Sequence, residues 1–222
     1  LKIKDFIIKI WIYLSTVTVF FIILSIIYFV VSKGIKEINL SFLTENPKGM
    51  PLGSEGGIKN AIMGSVFLMF LAIVFSIILG TGCTIYSTVY CNSKKINMAI
   101  RLVIQCISSV PSIIIGLFVY GFFIVTLNIP RSMLTAGILA GSYEMGATAP
   151  LLLTGAVFIG GSSNRLLRPV MALPFHLHML LGQTALYEKA YATAFVLICI
   201  LIIMHILSEV IMLGTGGIFI EY

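Results

Sequence analysis

A chain of 222 residues with 59% hydrophobic and 10% charged side chains, and a mean hydropathy of +1.10, is not a water-soluble domain, in which about a quarter of residues are charged. The net charge of +6 and pI near 9.2 do not mark a nucleic-acid binder either, because no basic residues interleave with aromatics in a solvated patch. The solvent is a bilayer, whose ~30 Å of hydrocarbon takes about 20 apolar helical residues to cross.

In chain order, Lys2, Lys4 and Lys9 precede an uncharged run from Ile10 to Ser32. The run is too long for a signal-peptide core and lacks a small-x-small cleavage site, so it reads as a retained first helix over about 7–31. The positive-inside rule places those lysines, and the N-terminus, in the cytoplasm. Segment 33–59 then lies outside, with mixed charge and helix breakers at Pro47, Gly49, Pro51, Gly53, Gly56 and Gly57. From Asn60 to Ser93 there is no Asp, Glu, Lys or Arg, which predicts a second span over about 60–90. Lys94, Lys95 and Arg101 form a short cytoplasmic turn, and the uncharged run from Leu102 to Pro130 carries a third span over about 100–127. A fourth span over about 133–158 and a last over about 190–213 give five. Plain alternation puts the intervening 159–189, with Arg165, Arg168 and Lys189, on the inside. The whole of 1–222 is expected to form one all-α polytopic transmembrane helix bundle. Cys83, Cys106 and Cys199 sit in apolar runs and Cys91 beside a helix end, without repeated spacing, so they read as small buried hydrophobes.

Polar groups at membrane depth carry the functional signal. In Ser108-Ser109-Val110-Pro111-Ser112 the proline removes a backbone donor and clashes with the preceding turn, which predicts a kink or break. Two readings stand: serines satisfying a structural kink, or serines lining a water-filled path. Glu144 has no charged neighbour between Ser132 and Asn164, and an ionised carboxylate at a helix centre costs on the order of 3 kcal/mol. It needs a partner or a wet cavity, unless it is protonated or lies near the helix end. Pro150, after Ala147-Thr148-Ala149, marks a second break whose half-helix N-termini would favour an anion. Gly137 and Gly141 form a GxxxG pair, widened by Ala136 and Ala140, which reads as a helix-packing face or as ordinary intramembrane glycine. His205 and Glu209, at i and i+4, are either a relay pair or snorkelling ends. His176 and His178 lack the further ligands of a metal site. No GxxxxGK[ST] occurs, so if this membrane protein uses ATP, another subunit hydrolyses it. No nucleophile-base pair or metal set emerges, and no catalytic residue, metal or cofactor is assigned.

Several strings, in order, resemble the permease subunit of bacterial and archaeal phosphate ABC importers, the PstA type. They are Gly56-Gly57-Ile58 with Ala61-Ile62, Ile85-Tyr86 ending in Tyr90, Val110-Pro111-Ser112-Ile113 with Gly116-Leu117-Phe118, Gly137-Ile138-Leu139 with Gly146, and Thr148-Ala149-Pro150-Leu151-Leu152. The resemblance implies a non-enzymatic subunit in a prokaryotic cell membrane, paired with a homologous permease. It also implies two cytoplasmic ATPase subunits and an extracytoplasmic phosphate-binding protein as partners, with ATP closure alternating the pathway between faces. Ser108, Ser109, Pro111, Ser112, Tyr143, Glu144, Thr148 and Pro150 are the expected pathway residues.

Two departures from the family pattern stand out. The family has six spans, with a further helix and a cytoplasmic EAA-type docking loop before the Gly137 segment, whereas here Leu127 leads through Asn128, Ile129, Pro130 and Arg131 directly into it. Restoring that helix would make Arg131 cytoplasmic and the Arg165 loop extracytoplasmic. The family's Arg-x-x-Gly-Glu pattern falls on Tyr143 and Ala147, and Glu144 adds a carboxylate that repels an anion when ionised. The rival readings are a degenerate or truncated homologue with an interaction or regulatory role, and an importer of a different solute.

Overall fold

The computed structural model describes residues 2–50, 52–142, 170–183 and 186–214. Among these the chain forms α1 (Lys2–Gly34), α2 (Leu40–Thr44), α3 (Lys59–Ile85), α4 (Lys94–Ser109), α5 (Ser112–Val119), α6 (Met133–Ser142), α7 (Leu173–Leu181) and α8 (Tyr187–Gly214). Wide π turns extend α3 over Tyr86–Tyr90 and α5 over Tyr120–Thr126. A two-residue hairpin pairs β1 (Pro47–Lys48) antiparallel with β2 (Glu55–Gly56). Phe6–Gly34, Lys59–Tyr90 and Tyr187–Ile211 are each long and apolar enough to cross a membrane, and α4 with the extended α5 makes a fourth such segment only if its bent halves act together. The protein is an all-α polytopic membrane protein.

The chain divides into two compact units, residues 1–38 with 183–222 and residues 39–182. In the first, a Cβ on Gly34 would stand 2.5 Å from the Tyr191 carbonyl oxygen, so the small residue lets α1 and α8 touch backbone to backbone. Phe29 meets Tyr191 edge to face at 5.5 Å. The rest of α1 is a nearly unbroken exposed surface of Ile, Leu, Phe and Val. Such a surface is stable against lipid tails, provided its polar groups are satisfied within the helix. Thr16 and Thr18 accordingly donate to the carbonyls of Ile12 and Leu14, at 2.9 and 2.8 Å.

The second unit is organised by α3. Its buried residues Ala61, Gly64, Ser65, Leu68 and Ala72 recur at three- and four-residue steps, which sets one narrow face of small side chains. A Cβ on Gly64 would collide with the Met171 carbonyl oxygen. At the next residue, Ser65 Oγ accepts the Leu173 amide at 2.8 Å. Leu68 packs with Met133, Ala136, Val170 and Ala172. The contact with α6 is close because a Cβ on Gly137 would lie 2.7 Å from the Leu71 Cβ. The side chains of Ile138–Ser142, Gly141 included, lie outside the described residues.

Segment 39–58 is a built cap. Asn39 caps α2 by accepting from the Phe42 amide at 2.7 Å, Ile58 donates to the Phe42 carbonyl at 2.8 Å, and both Phe42 and Ile58 are buried. Gly53, at φ +91°, takes a backbone shape that side chains resist and lies against Leu180 and His176 of α7, so the buried His176 belongs to this packing. Residues 170–182 therefore sit at the same end of α3 as 39–58. For 170–182 this departs from plain alternation, which put that stretch on the opposite face: two loops joined by buried contacts cannot lie on opposite sides of a bilayer.

The cysteines are free, but Cys83 and Cys106 are exposed on their helices, and Cys91 and Cys199 are half-buried. An apolar run marks lipid contact as readily as burial, which is why the sequence placed them inside.

Candidate functional site

The third predicted span is not one rod. α4 and the extended α5 meet at 98° across Val110 and Pro111, so 100–109 does not continue the direction of 112–126. Proline has no N–H to give the Ile107 carbonyl, and Val110 supplies the replacement at 3.1 Å. Ser108 Oγ donates to the Ile104 carbonyl at 2.8 Å and Ser109 Oγ to the Cys106 carbonyl at 2.7 Å. The end of α4 is thus closed by its own last residues.

That closure limits what the serines can offer. A hydroxyl has one proton, and those of Ser108 and Ser109 are already committed to carbonyls. They present lone pairs outward, which repel an oxyanion. Ser112 differs: it stands in the first turn of α5, half-buried, and its hydroxyl has no hydrogen bond to any described residue. The amides of Ser112 and Ile113 precede the first bond of α5, which Ile114 donates to the Pro111 carbonyl at 2.9 Å. The donors at this break come from α5.

Above it, the π turn sends the Leu127 amide to the Phe122 carbonyl at 3.0 Å, five residues back. Asn128 then reverses the chain at φ +52°, and Ser132 Oγ caps α6 by accepting the Thr135 amide at 3.2 Å. Arg131 lies over the Tyr120 ring at 5.2 Å and donates to its hydroxyl at 3.2 Å. Leu127 to Ser132 is all that separates the extended α5 from α6.

Of the eight pathway residues expected from sequence, Ser108, Ser109, Pro111 and Ser112 thus share one break. Tyr143, Glu144, Thr148 and Pro150 lie outside the described residues. Sequence reasoning missed the character of α4. At 100° per residue, Ile96, Ile100, Val103 and Ile107 gather on one side of it, and Lys94, Asn97, Arg101, Gln105 and Ser108 on the other. The signal was legible, but the uncharged run from Leu102 onward hid a two-sided helix inside an apparent span.

A polytopic helical chain with a right-angled helix break belongs, by architecture, among membrane-embedded proteins. In comparison with known proteins the chain is similar to ABC-transporter permeases, among them the PstA type. It is 36% identical over 95 residues to the phosphate transport system permease protein PstA of Xylella fastidiosa, covering 42% of this chain and 32% of the relative. The Yersinia pestis PstA gives 36% over 95 residues, with 43% and 32% covered. The probable ABC transporter permease protein YqgI of Bacillus subtilis is 28% identical over 97 residues, with 44% and 32% covered. The chain spans about a third of the length of the curated relatives it matches. No family model and no solved structure matches it.

Proposed function

We propose that this chain is the transmembrane permease subunit of an ATP-driven phosphate importer and forms part of its translocation pathway. Its place is a prokaryotic cell membrane, with the N-terminus in the cytoplasm beside Lys2, Lys4 and Lys9. It pairs with a homologous permease, two cytoplasmic ATPase subunits power it, and an extracytoplasmic binding protein delivers phosphate. The similarity to PstA permeases supports the assignment, and the break at Val110–Pro111 is the observation that carries the pathway.

Hydrocarbon offers an oxyanion no compensation for its lost water, so a pathway needs donors at membrane depth. The first amides of α5, the positive end of its helix dipole and the Ser112 hydroxyl are such donors. Ser108 and Ser109 become donors only when their carbonyl bonds exchange, which couples passage to movement at the break. Tyr143, Glu144, Thr148 and Pro150 complete the pathway in this reading, and Gly137 with Gly141 packs it.

Labelled phosphate uptake tests the proposal, using the natural protein reconstituted with its partner subunits and binding protein. Uptake should require ATP and stop when this chain is left out. Ser112→Ala should slow it more than Ser108→Ala.

The direct passage from Leu127 to Met133 favours a second reading, because it holds no segment to dock an ATPase there. A homologue with an interaction or regulatory role would co-purify with the complex while leaving uptake unchanged on its omission. Import of another oxyanion or a neutral solute would instead appear as binding of that solute, and not phosphate, by the partner receptor.

A further inference from the structure

Apart from Asn97, whose Nδ2 donates to the Ser87 carbonyl at 3.2 Å, α4 has little packed along it among the described residues, and every one of its side chains is exposed or half-exposed. Beyond the break, α5 and its π extension carry Ile113, Ile114, Leu117, Phe118 and Phe122 outward, an apolar surface suited to acyl chains. With that segment as the membrane-entering half of the bent pair, α4, at 98° to it, lies along the membrane plane. The two faces of α4 fit that position: Ile96, Ile100, Val103 and Ile107 to one side, Lys94, Arg101 and Gln105 to the other, with Lys95 at the boundary. Over 16 residues it carries three cations and no carboxylate.

We propose that α4 is an interfacial anchor whose apolar face enters the acyl boundary while Lys94, Lys95 and Arg101 bind anionic phospholipid headgroups. A helix of this kind sits about 5–10 Å deep, held by apolar burial and by charge attraction together. The occupant is lipid rather than protein because the charge is of one sign and the apolar strip is narrow. The anchor fixes the near side of the Pro111 hinge, so the break stays at constant depth while α5 moves. None of this depends on the cargo.

The test uses the full chain in nanodiscs, with Cys83, Cys91, Cys106 and Cys199 replaced by Ala and single spin labels placed along 94–109. Collision with oxygen and with a nickel chelate reports depth. Labels at 96, 100, 103 and 107 should favour oxygen, those at 94, 101 and 105 the chelate, and 96 and 107 should share one depth. A helix crossing the bilayer would instead separate 96 and 107 by about 16 Å, overturning the proposal. Shielding of the apolar-face labels from both reagents would also overturn it, since a protein partner would then cover that face.

The lipid arm compares phosphatidylglycerol with phosphatidylcholine discs and counts phosphatidylglycerol retained by the unlabelled, native-cysteine chain in detergent. Each of Lys94→Gln, Lys95→Gln and Arg101→Gln should weaken retention about fivefold. An unchanged melting temperature for these variants would show that the α3–α6 packing persists. Equal retention by native chain and variants, or no difference between the two lipids, would refute the headgroup site.

Discussion

α3 and the α4–α5 pair are both uncharged for most of their length, yet one is a packed rod and the other a right-angled, exposed break. The difference lies in where small and special residues fall. In α3, Ala61, Gly64, Ser65, Leu68 and Ala72 line up on one side and seat residues 170–173 and α6. In α4–α5, one proline and a two-sided pattern divert the chain, and Gly116 alone is buried across both helices. Apolar composition therefore decides that a segment meets lipid, while the placement of a few residues decides whether it also meets protein.

Substitutions can break that contrast in graded steps. Gly64→Val should have the largest effect, about 3 kcal/mol or loss of folded protein, because its Cβ meets the Met171 carbonyl and neither backbone can yield. Denaturation in mixed micelles would read it. Ser65→Ala should cost about 2 kcal/mol by leaving the Leu173 amide buried without its acceptor, and amide exchange at Leu173 should rise with it. Gly137→Ala should cost about 1 kcal/mol, since the Leu71 Cβ cannot turn aside and α3 and α6 must part slightly to admit the methyl. On the exposed side, Ser108→Ala should change stability by only about 0.5 kcal/mol, because it removes one local back-bond. Gly80→Ala sharpens the comparison within α3 itself. Nothing stands within 4 Å of a Cβ there, so the change should be neutral or slightly stabilising.

The sequence made the membrane class plain, because uncharged runs such as Asn60–Ser93 admit no other solvent. The Pro111 break was legible too, since a missing N–H is a local fact. The size of the turn was not, because proline fixes that a helix is interrupted and leaves its new direction to both flanking segments. The shared end of 39–58 and 170–182 was equally hidden. It rests on Gly53 meeting His176 and Leu180, and no periodicity within either segment encodes such a meeting. Ser108 and Ser109 were legible as polar groups beside the break, but whether their protons pointed to a cargo or to their own helix required coordinates.

The bond from the Leu173 amide to Ser65 joins residues 108 positions apart. At a synthesis rate of about 5–20 residues per second, α3 waits roughly 5–20 s after emerging before the segment that covers its glycine-serine face exists. Throughout that interval the nascent helix carries an unfilled groove into the membrane, where insertion factors or neighbouring helices can reach it first. Biogenesis of this protein is therefore most exposed to error at Gly64 and Ser65, and a late truncation before Leu173 would strand a helix that has already been inserted.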